Sequence, residues 1–292
     1  MASMPSEDRA QPADRPLLVL GATGRLGCML ARQWRADAQA PALRQARRAT
    51  PGHVTCDFLN DPAALDRLIA ETRPAALVSL AGQTGAAAAE DAVPLARVLL
   101  KAAARADLPL LLPSSAAVYG DAPGPLTEDA PPTPISDYGR AKAQMEEVAL
   151  GLHAQGTRVT CLRIANVAGA DAILGGWREG FPLDQLPGGG GPTRSYMGPA
   201  TFARLIAHLA RMPDLPPILN LSAPGAHGMD ALLAAAGLPF MWSDRAPAVP
   251  HVKLDTKRLE VLTSFTEAET TAPGIVAQWR EDQRLSKDET VP

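Results

Sequence analysis

The chain is poor in aromatic residues, cysteine, lysine and long hydrophobic runs, and the shortages of cysteine and of hydrophobic runs each remove a class of function. Aromatics make up 4% of the 292 residues, and the 3 cysteines lie far apart at Cys28, Cys56 and Cys161. An odd, scattered set with no Cys-x-x-Cys or Cys/His cluster has neither a disulfide framework nor metal-ligand spacing, so free thiols in a reducing compartment are expected. The five histidines are equally dispersed, and none is assigned to a metal. Nowhere do 18 uncharged apolar residues run together, and the start, MASMPSEDRAQPADRP, has no apolar leader core. A soluble, cytoplasmic protein that spans no membrane is the expectation. The formal net charge is −3, with no concentration of basic residues on the scale of a phosphate-backbone footprint, which argues against a nucleic-acid partner. Lysine is scarce, 5 residues against 23 arginines, so each lysine carries more information than each arginine.

What is present is 46% hydrophobic, enough for one large core or a domain with an added lobe. From Pro16, short apolar runs (PLLVL, APAL, HVTC, AALVSLAG, LPLLLPSS, TRVTCLRIAN) alternate with Ala- and Leu-rich segments of helical length. That alternation predicts βα units with parallel strands buried on both faces, an α/β doubly wound sheet of the Rossmann type. Asp61-Pro62 opens a helix, and TFARLIAHLARM followed by PPILNLS reads as a helix and a strand returning to the sheet. The dinucleotide-type domain is placed at 16–169 with 200–222 returning. A small C-terminal substrate lobe is placed at 170–199 and 223–280, and flexible tails at 1–15 and 281–292. The Gly188 to Gly191 run reads either as a surface turn or as a loop that approaches a ligand by its backbone.

Residues 17–28, LLVLGATGRLGC, place Gly21, Gly24 and Gly27 at three-residue spacing between a predicted strand and a predicted helix. Glycines there permit a sharp turn, close approach to a pyrophosphate and tight helix–strand packing, while the helix N-terminus offers free N–H groups to an anion. The context is that of a dinucleotide site. After the second strand come Arg44, Gln45, Ala46, Arg47 and Arg48, with no Asp or Glu to hold a ribose 2′-hydroxyl. NADP is therefore favoured, with Arg44 on the 2′-phosphate and NAD as the alternative; a solvated basic turn is the plain reading.

Tyr138 and Lys142, in YGRAK, lie one helical turn apart on one face. With so few of either residue, the spacing is expected by chance only about 0.05 times. A phenol with a pKa of about 10 is a poor base at neutral pH, and a neighbouring ammonium would lower that value. Against this stands a packed tyrosine beside a snorkelling lysine. Tyr119 reads as a packing or pocket-wall residue, and Cys28, at the start of the first helix, as a buried structural thiol in preference to an activated one.

Together GATGRLG (21–27), CDFLND around Asp57, LVSLAG (77–82), PSSAAVYG (113–120), TEDAPPTPISDYGRAK (127–142), LRIANVAG (162–169), Arg194 and LNLS (219–222) are similar, in order, to the extended short-chain dehydrogenase/reductases, the NAD-dependent epimerase/dehydratase family. The resemblance runs from residue 16 to about 260. It implies a cofactor site made of Gly21, Thr23, Gly24, Arg25, Leu26, Gly27, Asp57, Phe58, Leu80, Ala81 and Gly82, with Tyr138 and Lys142. It implies Ser115, Tyr138 and Lys142 as the catalytic set, Ser115 orienting the reacting oxygen, and Asn166 and Arg194 on the diphosphate of a nucleotide sugar. The residue-level alternative for the last two is a strand-end cap and a surface charge. The implied activity is hydride movement at a hydroxyl or keto carbon, as a 4-epimerase or ketone reductase. The rival is a dinucleotide-binding regulatory or scaffold protein without turnover. A homodimer is compatible with the sequence and not specified by it. Three departures stand out. Ala116 and Ala117 replace the Asp-Glu pair of the dehydratases, which disfavours dehydration. Ala92 stands where an Asn is usual, and Tyr196-Met197-Gly198-Pro199-Ala200 replaces the usual stretch after the lobe arginine.

Overall fold

The computed structural model describes residues 15–37, 41–82 and 87–288. Six strands, β1 (Leu17–Leu20), β2 (Ala42–Ala46), β3 (Val54–Thr55), β4 (Ala76–Ser79), β5 (Leu110–Ser115) and β6 (Val159–Ile164), form one parallel sheet with the returning strand Ile218–Leu221. Helices α1 (Arg25–Asp37), α2 (Pro62–Thr72), α3 (Ala87–Ala106), α4 (Asp137–His153) and α5 (Pro199–Leu209) cover its two faces. The order across the sheet is Ile218–Leu221, β6, β5, β4, β1, β2, β3. After β1 the chain steps one way to β2 and β3, then returns to β4 and steps the other way. The direction of winding therefore reverses between β1 and β4, and a crevice opens beyond their carboxyl ends.

The apolar runs form strands because both faces are buried. Leu17 and Val19 of β1 enter a core with Met29, Leu30, Trp34, Phe202 and Ile206 of α1 and α5. Leu18 and Leu20 face the opposite core, with Leu65, Leu68, Leu95, Leu99 and Met145 of α2, α3 and α4. Side chains alternate across a strand, so one four-residue run supplies both cores. Each such leucine gains roughly 1.5–3 kcal/mol from burial.

Beyond β6 the elements shorten. Asn166–Val167 pairs with Tyr196–Met197, Thr193–Arg194 lies between His227–Gly228 and His251–Val252, and Pro182–Asp184 pairs with Met241–Ser243. A third core gathers Ile173, Leu174, Tyr196, Leu232, Ile275 and Trp279 under these ribbons. The expected C-terminal tail is corrected over 281–288, since helix Ala272–Asp288 runs through it. The reason is a buried anchor: Asp282 accepts from Arg32 Nη2 at 2.6 Å and from Gln33 Nε2 at 3.0 Å, tying this helix to α1. The rest of the expected tails, 1–14 and 289–292, lies outside the described residues. Among the described residues no helix is long and apolar enough to cross a membrane.

Candidate active site

The glycine turn is held against the end of β4. Gly21 has φ +76°, and a Cβ there would lie 2.5 Å from the backbone N and Cα of Ala81. Its N–H donates to Gln45 Oε1 at 3.0 Å, while Gln45 Nε2 donates to the Cys56 carbonyl at 2.5 Å. One buried glutamine thus pins the turn to β2 and to the start of the loop after β3. Gly27 serves packing, because its Cβ would meet the Ala22 carbonyl oxygen at 2.6 Å. Beyond this turn lie two cavities that share Gly24, Leu80, Ala81 and Gly82. One, of about 390 Å³, is lined by Gly21, Thr23, Gln45, Arg47, Asp57 and Phe58. The other, of about 480 Å³, is lined by Arg25, Leu26, Ser115, Tyr138, Lys142, Asn166 and Asp171. Together they form a long cleft at the switch point, with N–H groups at the start of α1 in its middle, a shape and donor set that fits a dinucleotide.

Tyr138 and Lys142 reach the cleft because Ser136 caps α4, its hydroxyl accepting from the Gly139 N–H at 3.1 Å. Ser115 ends β5, and its Oγ accepts from the Ala117 N–H at 3.1 Å, opening a tight turn over Ala116–Tyr119. The Ser115 hydroxyl and the Tyr138 phenol both line this cleft. Burial pushes that phenol above its ordinary value, and the nearby Ser115 hydroxyl opposes the rise. The expected lowering by Lys142 is not present. Its Nζ stands 5.8 Å from the centre of the Tyr138 ring and donates to the Pro113 carbonyl at 2.7 Å. Lys142 is itself buried, and desolvation brings it down to about 8, against the attraction of Cys161 and Glu146. A neutral phenol beside a hydroxyl and an ammonium is a proton donor to an oxygen placed between them.

Two residues that the sequence assigned to ligand binding land elsewhere. Arg44 lines a separate hollow of about 190 Å³ with Leu30, Trp34 and Arg35, on the α1 side of the sheet. Strand alternation explains the correction: Gln45 and Arg47 share the parity that faces the cleft, and Arg44 has the other. Arg194 does not line the cleft either. Its Nη1 donates to the Thr193 and Pro250 carbonyls at 2.9 and 3.1 Å, and Nη2 donates to the Val249 carbonyl at 2.6 Å. Asn166 does line it, next to Tyr196, with its N–H on the Ser195 carbonyl at 3.3 Å. The Gly188 to Gly191 run also stands apart from the cleft-lining residues.

Among the cleft-lining residues that the sequence reading did not assign, which include Arg47, Ser114 and Asp91, two hold the walls by hydrogen bonds to backbone groups. Gln45 is one, and its signal was its place near the end of the second strand. Asp171 is the other: its carboxylate accepts from the N–H groups of Gly169, Ile173, Leu174 and Gly175 and from the Tyr196 hydroxyl at 3.0 Å. An Asp in a loop tends to accept from the N–H two residues on, as Asp171 does from Ile173, and that Asx-turn tendency could have marked it. With both oxygens so engaged, Asp171 shapes the cleft and is not a free base.

Comparison with known proteins agrees with this architecture. A 65-residue stretch is 46% identical to UDP-glucose 4-epimerase of Lactobacillus helveticus; it covers 22% of this chain and spans only about a fifth (20%) of that relative's length. Among solved structures, the Thermus thermophilus UDP-glucose 4-epimerase in complex with NAD superposes with a TM-score of 0.69 at 21% identity, covering 91% of this chain and 99% of that one. The Bifidobacterium longum UDP-glucose 4-epimerase in complex with NAD+ and UDP gives 0.74 at 18% identity, covering 92% and 99%. At these identities the likeness is one of fold. The model of the NAD dependent epimerase/dehydratase family matches residues 17–179, more than half of the chain, and the chain belongs to that family.

Proposed function

We propose that this protein is an NAD(P)-dependent enzyme that moves a hydride at a hydroxyl or keto carbon of a nucleotide sugar, as a 4-epimerase or ketone reductase. The observation that carries this reading is the convergence of Tyr138, Ser115 and Lys142 on the cleft that begins at the glycine turn. A bound nicotinamide dinucleotide supplies the hydride acceptor or donor. The chain's own residues handle the oxygen. Tyr138 gives its phenolic proton to a keto oxygen, or in the reverse direction takes the hydroxyl proton. Ser115 Oγ hydrogen-bonds the same oxygen and orients it. Lys142 commits one N–H to Pro113, which leaves donors for the cleft. Gly21, Thr23, Gly24, Arg25 and Leu26 would cradle the pyrophosphate. Asp57 and Phe58 would hold the adenosine end, and Leu80, Ala81 and Gly82 the floor.

Dehydration is disfavoured. Ala116 and Ala117 follow Ser115, and Asp171, the carboxylate in the same cavity among the described residues, has its oxygens engaged. The NAD bound in the solved relatives supports NAD as a cofactor. A preference for NADP remains our proposal, moved from Arg44 to Arg47, which lines the adenosine-side cavity where no carboxylate ends β2.

The test is mass spectrometry of the dinucleotide retained by the purified protein, followed by a panel of nucleotide sugars and their 4-keto forms. Interconversion of 4-epimers or reduction of a 4-ketone is expected. Turnover of none of them, with a dinucleotide bound, would leave a binding protein and overturn the reading.

A further inference from the structure

Tyr138 and Lys142 stand on α4 and Ser115 on β5, so the reacting geometry depends on how that helix is pinned to that strand. Two side-chain bonds pin them near the cleft. One is Lys142 Nζ to the Pro113 carbonyl; the other is Ser114 Oγ, which donates to Glu146 Oε1 at 2.5 Å. Glu146 lies one helical turn beyond Lys142 on the same face and is 2% exposed. Its carboxylate is aimed by Arg163, 1% exposed, whose Nε and Nη2 donate to Oε1 and Oε2 at 3.0 and 2.8 Å. Arg163 sits opposite Ser114 in the β5–β6 ladder. It is fixed in turn by the Glu128 carbonyl at 3.3 Å and by the Tyr119 ring, 4.7 Å from its guanidinium carbon.

The chemistry of this cluster favours alignment. A planar guanidinium fork orients a carboxylate in one plane, so the oxygen offered to Ser114 has a set direction. Buried charges of this kind are weak evidence for stability and are retained where they enforce one arrangement. Neither Glu146 nor Arg163 lines the cleft, whereas Ser114 does, next to Ser115.

We infer that Ser114, Glu146 and Arg163 form a brace that sets the distance between Ser115 on β5 and Tyr138 on α4, which makes Ser114 and Glu146 positioning residues for the proton transfer. This rests on the reading of Tyr138 and Ser115 as the reacting pair. Loss of the Ser114 hydroxyl lets the strand end and the helix move independently, and the Ser115 and Tyr138 hydroxyls move apart.

The chain has three tyrosines, so the full-length protein labelled with carbon-13 at tyrosine Cζ gives few resonances, and Tyr138→Phe assigns the relevant one. At neutral pH Ser115→Ala shifts that resonance by removing the hydroxyl beside the phenol. Ser114→Ala is expected to shift it in the same direction, Ser114→Thr to restore it, and Ser114→Ala to add nothing in the Ser115→Ala background. Ser114→Cys, which keeps the volume but donates weakly, should behave as Ser114→Ala. An unmoved Tyr138 resonance in either variant, or an equal further shift in the Ser115→Ala background, overturns the brace. In kinetics, Ser114→Ala should lower kcat about tenfold while KM and dinucleotide affinity hold; a uniform loss of all three overturns it too. If the wild-type protein turns over no nucleotide sugar, the proposed function fails while the resonance experiment still decides the brace.

Discussion

The two ends of the molecule that meet near Asn166 are built differently. On the sheet side, strands of four to six residues carry the site, the Gly21 turn packs against Ala81 at a distance no side chain would fit, and the polar groups behind the cleft are paired in a buried cluster. On the lobe side, ribbons of two or three residues are joined by glycine-rich loops, and Met241 and Trp242 stand exposed. Rigid elements place a reacting atom to a fraction of an ångström, whereas loops adapt to what they bind. On the proposed function, the hydride and proton chemistry belongs to the first region, and the choice of substrate to the second.

Four experiments put that contrast at risk. The largest effect is that of Tyr138→Phe, expected to lower turnover by about 10³ while dinucleotide affinity stays within about twofold. Steady-state rates and a fluorescence titration measure both, and retained turnover would move the proton transfer off the sheet side. Next are matched glycine substitutions followed by urea unfolding. Gly21→Ala should cost about 3 kcal/mol or more, because positive φ and a backbone clash add. Gly188→Ala, also at positive φ but with open space around its Cβ, should cost about 1 kcal/mol. Equal costs would erase the difference in packing.

Lys142 provides a pH test of the sheet side. Its value falls from 10.5 in the unfolded chain to about 8 in the fold. Between those values the unfolded state binds more protons, so stability rises with pH. Below about pH 8 the lysine is charged in both states and its burial penalty, on the order of 3 kcal/mol, is fully present. Stability curves of the wild type and Lys142→Met should therefore diverge below pH 10.5 and run parallel below about 8, the variant being the more stable; curves parallel throughout would mean that Lys142 is solvated. The smallest effect concerns the outer end of the cleft. Arg47→Ala should weaken NADPH about tenfold and NADH little, and Arg44→Ala neither. Sensitivity to Arg44 in a direct titration, or indifference to Arg47, would reverse the assignment of side.

The glycine turn and YGRAK were legible because each is a local instruction: Gly21 answers a positive φ and a close contact, and a four-residue spacing on a helix places two side chains on one face. Asp61-Pro62 likewise marked the start of α2. Arg44 misled because strand parity decides which face a residue takes, and parity depends on a strand's neighbours as much as on its own composition. Arg194 resembled an anion ligand, but its donors meet carbonyls 55 and 56 residues further along the chain. The polar stretch after Glu281 read as a tail because the contacts of its buried Asp282, with Arg32 and Gln33, span 250 and 249 positions.

The amino-acid order alone was enough for the βα alternation, for the tight glycine turn and for placing Tyr138 and Lys142 on one helix face, since periodicity and backbone dihedral demands are written in adjacent residues; Ser115 entered only through the family resemblance. It took the packed fold to establish that the Tyr138 phenol is raised by burial, that Arg47 and not Arg44 faces the cleft, and that Glu146 and Arg163 stand behind Ser114. Desolvation, charge pairing and cavity walls arise where distant segments meet, and no local pattern records which segments those will be.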